Sequence, residues 1–158
     1  MKTVRLANII TNDVLNGEGI CTSVWLQGCP HHCPGCHNPQ AWDINGGIEL
    51  KYEIAIEEIL NTLEKNGIQR NLSILGGEPL WDNNADFVVA LTAAVKEKYP
   101  NIIIYCWTGY TLEELNKEYL LKNIDILIDG KFIQEQRDIT LKWRGSPNQR
   151  ILYKGKDF

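Results

Sequence analysis

Four short apolar segments do most to limit what this chain can fold into. They are TSVWLQ (residues 22–27), LSIL (72–75), IIIYCW (102–107) and IDILI (124–128). Each is rich in β-branched or aromatic residues and reads as a strand. Each runs directly into a loop that carries glycine beside polar or reactive groups: GCPHHCPGC, GGEP, TGY and DGK. Between the strands the apolar spacing becomes helical. Ile56, Ile59, Leu60 and Leu63 fall on one helical face, and Asn66-Gly67 supplies a stop. Phe87, Val88, Leu91, Ala94 and Val95 mark a second helix, starting near Asn83 or Asn84 and ending before Pro100. Thr111 and Glu114 form a T-x-x-E capping box, which predicts a third helix along Leu112, Leu115 and Tyr119. QRILY (149–153) is a candidate last strand. No element is predicted before residue 22, and the stretch through DINGGIEL reads as loop.

Alternating strands and helices predict an α/β chain with a mostly parallel sheet and right-handed crossovers. The 158 residues suit a single domain spanning 1–158. A complete eight-unit barrel takes about 250 residues. A partial (βα) barrel or an open twisted sheet remains. In such folds sites form at the C-terminal ends of the strands. The four loops should therefore open on one edge. A single glycine loop merely ends a strand; four in register, one of them bearing thiols, predict a shared site.

The formal net charge of −4 gives no support for a nucleic-acid surface. Asn8, Asn12 and Asp13 break the apolar character of the N-terminal stretch, so no secretion signal is expected, and no apolar run is long enough to span a membrane. With five cysteines and no secretion signal, the expected location is the reducing cytoplasm, where clustered cysteines more often bind metal than pair as disulfides.

Cys29, Cys33 and Cys36 have the spacing C-x3-C-x2-C, with His31, His32 and His37 interleaved. Zinc could take three thiolates and one histidine. Structural zinc sites usually draw on two separated ligand pairs, however, whereas these candidates share one short loop. A 4Fe-4S cluster normally takes four thiolates. Cys21 precedes a strand and should lie near its far end, and Cys106 sits inside an apolar strand; both read as structural. Three thiolates would leave one iron without a protein ligand, an open position like that of a catalytic metal.

The C-x3-C-x2-C loop after the first strand, with GGEP after the second, resembles the radical S-adenosylmethionine (SAM) superfamily. The stretches GICTSVWLQGCPHHCPGCHNPQAWD, WTGYTLEEL, ILIDGKF and WRGSPNQRI are similar to the glycyl-radical activases that serve anaerobic ribonucleotide reductases, over roughly residues 14 to 152. The resemblance implies a 4Fe-4S cluster on Cys29, Cys33 and Cys36, reduced by a low-potential donor of flavodoxin or ferredoxin type. The cluster would cleave SAM to methionine and a 5′-deoxyadenosyl radical. That radical would abstract a hydrogen from a glycine in the large subunit of an anaerobic ribonucleoside-triphosphate reductase.

The resemblance also assigns residues. Gly76 and Gly77 would let backbone approach the SAM methionine, Glu78 would pair with its ammonium group, and Pro79 would stiffen the turn. Gly35, Cys36 and His37 would touch the adenine end. Many superfamily members carry an aromatic residue where this chain has Gly35, so His37 or Trp107 is the candidate adenine stacker. Thr108 and Gly109 are candidates for ribose or methionine contacts, Asp129 and Lys131 for the ribose hydroxyls and the carboxylate. Arg144, Asn148 and Gln149 are read as facing either SAM or a partner, and Trp42, Trp81 and Trp143 as core or interface. The competing functions are activation of another glycyl radical enzyme, of pyruvate formate-lyase type; radical chemistry on a small molecule, for which the chain offers little enclosing structure; and a non-catalytic iron–sulfur or zinc module, which leaves GGEP unexplained.

Overall fold

The computed structural model describes residues 2–158. Strand β1 (Thr3–Asp13) turns back into β2 (Cys21–Leu26), and a long loop leads to β3 (Ile48–Lys51). Helix α1 (Tyr52–Leu63), β4 (Asn71–Gly76), α2 (Asp82–Lys98), β5 (Ile104–Trp107), the single-turn α3 (Glu118–Leu121), β6 (Ile126–Asp129) and β7 (Arg150–Tyr153) follow. The strands form one open seven-stranded sheet in the order β3-β1-β2-β4-β5-β6-β7.

The four strands expected from the apolar segments form the centre. Pairs β2–β4, β4–β5 and β5–β6 are parallel. The flanks are antiparallel: β1 pairs with both β2 and β3, and β7 with β6. The expectation of a mostly parallel sheet therefore holds for the central strands and is corrected at both sides. Strand β1 is hard to read because only one of its faces is covered. Its burial alternates, and Asn8, Asn12 and Asp13 look like loop residues when the partners β2 and β3 are unknown. Strand β3 lies at the sheet edge and is mostly exposed, so DINGGIEL lacks a core-facing pattern.

Helix α1 buries Ala55, Ile59 and Leu63, with Ile56 and Leu60 packed beside them. It stops where Asn66 (φ 60°) and Gly67 (φ 74°) take the left-handed conformation, as that pair predicts. Helix α2 starts at Asp82 and ends before Pro100, also as expected. The third helix is corrected. Thr111 and Glu114 do form the reciprocal box: the Thr111 N–H donates to Glu114 Oε1 at 3.0 Å, and the Glu114 N–H donates to Thr111 Oγ1 at 3.3 Å. Turns nevertheless replace the helix there, and only Glu118–Leu121 is helical. The Leu112 N–H donates to the Asp129 carboxylate at 2.8 Å, which satisfies a first-turn donor, but the chain leaves the helical path at Lys117, which is extended (φ −139°, ψ 98°) and donates its N–H to the Leu115 carbonyl.

The two faces of the sheet differ. One packs on α1 and α2 through Val24, Leu26, Leu72, Ile74, Ile104, Cys106 and Leu127. On the other, Tyr105, Ile126 and Ile128 meet Trp107, Trp143 and Ile151 in a second, smaller cluster. Alternation along β5 explains why IIIYCW is apolar throughout: Ile104 and Cys106 face the helices, Tyr105 and Trp107 the other layer. Among the described residues no helix is long and apolar enough to cross a membrane.

Candidate functional site

Register brings the ends of the parallel strands together. Leu26 stands opposite Gly76, and Trp107 opposite Ile128. The four following loops thus reach one edge, and all four contribute to a single cavity of about 440 Å³. That size lies within the usual range for ligand sites, roughly 300–1,000 Å³.

Cys29, Cys33 and Cys36 all line this cavity and are half-buried free thiols. Burial pushes the Cys29 thiol above its ordinary value, while the N–H groups of His31 and His32 beside it pull the other way. Burial also raises the Cys33 thiol, whose sulfur lies against the Phe132 N–H. Among the described residues no three His, Cys, Asp or Glu side chains are gathered into a preformed metal cage. The donor chemistry still suits an iron–sulfur cluster, because three soft thiolates come from one loop and share one cavity. The two remaining cysteines are placed elsewhere. Cys21 opens β2, about 17 Å from the end of that strand at ordinary strand rise. Cys106 is fully buried on the helix side of β5, and that burial holds its thiol well above the usual value.

The GGEP turn packs directly on the root of the cysteine loop. A Cβ on Gly76 (φ 151°) would lie 2.5 Å from the Leu26 carbonyl oxygen, and one on Gly77 2.5 Å from that of Gly28. The Glu78 N–H donates to that same Gly28 carbonyl at 2.8 Å. Both glycines are thus required by the contact between two chain segments, besides any ligand they meet.

Glu78 is the hub of the edge. Its side chain is fully buried and has four donors. His31 Nε2 lies 2.7 Å from Oε1, and the Gly109 N–H donates to the same oxygen at 2.6 Å. Thr108 Oγ1 and the Leu80 N–H donate to Oε2 at 2.8 and 2.9 Å. The cysteine loop, the GGEP turn and the β5 loop therefore share one carboxylate. The His31 ring also stands edge-on to Tyr110, with centroids 4.6 Å apart, and a Cβ on Gly109 would strike it at 2.5 Å. Asn84 braces the hub from α2, donating to the carbonyls of Gln27 and Glu78 at 3.1 and 2.9 Å.

The other expected residues divide. His37, Gly76, Gly77, Thr108 and Gly109 line the cavity, with His37 tilted against Phe132 at 5.5 Å. Gly35, Pro79, Asp129 and Lys131 are not among its lining residues. The side of Gly35 is filled by the Gln134 side chain. Asp129 is fully buried and receives Arg150 Nε and Nη2 at 3.0 and 2.5 Å. Lys131 is exposed. Trp107 and Gln149 line the cavity. So do Trp42 and Trp143, which the sequence reading placed in the core or an interface. His31 and Asn84 are the participants that sequence reasoning missed. In the sequence His31 offers itself only as a metal ligand, and its position between two of the three cysteines is the available signal.

A family model described as "4Fe-4S single cluster domain" matches residues 15–152. The chain is similar to proteins named anaerobic ribonucleoside-triphosphate reductase-activating protein. It is 43% identical to that of Haemophilus influenzae over 142 residues, 88% of this chain and 91% of the relative. Identity to the Vibrio cholerae protein is 42% over 141 residues, again 88% and 91%. The Escherichia coli protein is 37% identical over 142 residues, covering 88% of this chain and 92% of the relative.

Proposed function

Since the chain belongs to the anaerobic ribonucleoside-triphosphate reductase-activating proteins and carries their 4Fe-4S domain, we propose that it is a radical SAM activase with the partial (βα) barrel of that superfamily. Its partner is the large subunit of an anaerobic ribonucleotide reductase, and a flavodoxin- or ferredoxin-type donor reduces it. The observation that carries this reading is the meeting of three loop cysteines and the GGEP turn in one cavity, with the other two cysteines held away from it.

Cys29, Cys33 and Cys36 would hold the cluster as thiolates, and no fourth cysteine among the described residues lines the cavity. When bound and reduced, the cluster would supply the electron for splitting SAM into methionine and a 5′-deoxyadenosyl radical, which would remove a hydrogen from a glycine of the reductase. The chain's own work is positioning. The Glu78 carboxylate accepts from His31, Thr108 and Gly109, so it acts as the fastener of three loops. Gly76 and Gly77 turn backbone toward the methionine end. His37 and Trp107 provide ring faces in the cavity wall for the adenine. Trp25, Leu75 and Trp143 supply apolar wall to the cavity.

The test is anaerobic reconstitution with iron and sulfide, followed by reduction and addition of SAM and the reductase. The expected results are 5′-deoxyadenosine and a glycyl doublet on the reductase in electron paramagnetic resonance. A fully iron-loaded protein that forms no 5′-deoxyadenosine refutes the reading. Deoxyadenosine without the doublet redirects it to another glycyl radical enzyme. Cys29→Ala, Cys33→Ala and Cys36→Ala should each abolish product, and turnover by Cys33→Ala would contradict the cluster assignment.

A further inference from the structure

Resting on the SAM reading above, we infer that Arg144 is the cationic anchor of the cavity and binds the carboxylate of the cofactor's amino-acid end. Arg144 is the one lysine or arginine among the described residues that line the cavity. Lys131, which the resemblance offers together with Asp129 for the ribose hydroxyls and the carboxylate, is exposed and outside the lining, whereas Arg144, read from the sequence as facing SAM or a partner, is within it.

The guanidinium of Arg144 is held in place. Its Nη1 donates to the Gln149 carbonyl at 3.0 Å. The adjoining backbone is braced by the Gln149 side chain, whose Oε1 accepts from the N–H groups of Gly145 and Ser146 at 2.8 and 3.2 Å. Arg144 Nε is buried and meets no acceptor among the described residues. A buried charged donor without an acceptor is costly, and a carboxylate is the group whose two oxygens match a guanidinium fork.

Its place in the chain points the same way. Next to it, Gly145 lies against Phe132, where a Cβ would come within 2.7 Å of the ring. The Phe132 N–H in turn lies against the Cys33 sulfur. The anchor thus belongs to the segment that covers the cysteine end of the cavity. Glu78, the one acidic residue in the lining, has both oxygens taken by protein donors. The cavity therefore presents an uncommitted cationic donor and a carboxylate already engaged, a pairing that favours an anionic group on the ligand.

Calorimetric titration of the reconstituted full chain with SAM and with decarboxylated SAM tests this. The unmodified chain, Arg144→Gln and Arg144→Lys are compared, with iron content and melting temperature measured alongside. Arg144→Gln should bind SAM about 10- to 100-fold more weakly. It should bind the decarboxylated analogue as the unmodified chain does, and Arg144→Lys should fall between. An undiminished preference for SAM over the analogue in Arg144→Gln overturns the inference. If the unmodified, iron-loaded chain binds neither compound, the SAM reading itself fails and this inference with it. Should Arg144→Gln not load iron, Arg144→Lys decides by the same two-ligand comparison.

Discussion

Glu78 and Asp129 are both fully buried carboxylates at the C-terminal edge of the parallel strands, yet they are held by opposite means. Asp129 faces a charge on its own sheet: Arg150 from β7 meets both its oxygens and also reaches Glu113. That pairing holds the guanidinium above its usual value, chiefly through Asp129 and then through Glu113. It joins β6, β7 and the turn after β5, and it lies outside the cavity lining. Glu78 has no arginine or lysine among its partners. It is held by a histidine, a hydroxyl and two backbone N–H groups, three of the four from the loops that bound the cavity. One carboxylate closes the sheet, and the other fastens the site. A sequence shows two acidic residues after two strands; which donors reach each is a matter of tertiary packing.

The largest effect should come from Glu78→Ala. It leaves several buried donors without an acceptor, at a cost of roughly 3–5 kcal/mol in urea denaturation. Cluster loading should fall with it, because the cysteine loop loses its His31 tether. Full iron content with unchanged stability would erase the distinction drawn above.

Asp129→Asn should cost less, about 1–2 kcal/mol, because the Arg150 side chain is 43% exposed and keeps both Glu113 and water. SAM binding measured by calorimetry should be unaffected. A tenfold loss of SAM affinity at unchanged melting temperature would return Asp129 to the site. The smallest effect is expected for Cys106→Ala. Removing one buried sulfur from the helix-side core should cost about 1 kcal/mol in the same denaturation experiment, with iron content retained. Loss of iron there would make Cys106 a ligand after all.

Much of the fold's centre could be read from residue patterns. The four apolar segments became the four parallel strands, and the Asn66-Gly67 stop and the α2 end before Pro100 fell where expected. Strand β1 escaped because a half-exposed strand with polar residues has no signature until its neighbours are known. The third helix failed because a capping box supplies only a start, and the chain turns extended at Lys117 after a single turn. In the site, the cysteine spacing and GGEP stood out because each is local. His31 and Arg144 could be named as candidates but their roles could not, because these lie in groups that are distant along the chain: His31 meets Glu78, and Arg144 shares its cavity with the cysteine loop.

The central strands, α1 and α2, the shared edge of four loops and the thiol chemistry of one of them are legible in local residue patterns. These follow from side-chain periodicity and short-range spacing, which act within a few residues. Which charges neutralise one another, and which remain for a ligand, is settled by the folded chain. That choice is made by hydrogen-bond geometry between segments dozens of residues apart, in a buried setting where every donor and acceptor must find its partner.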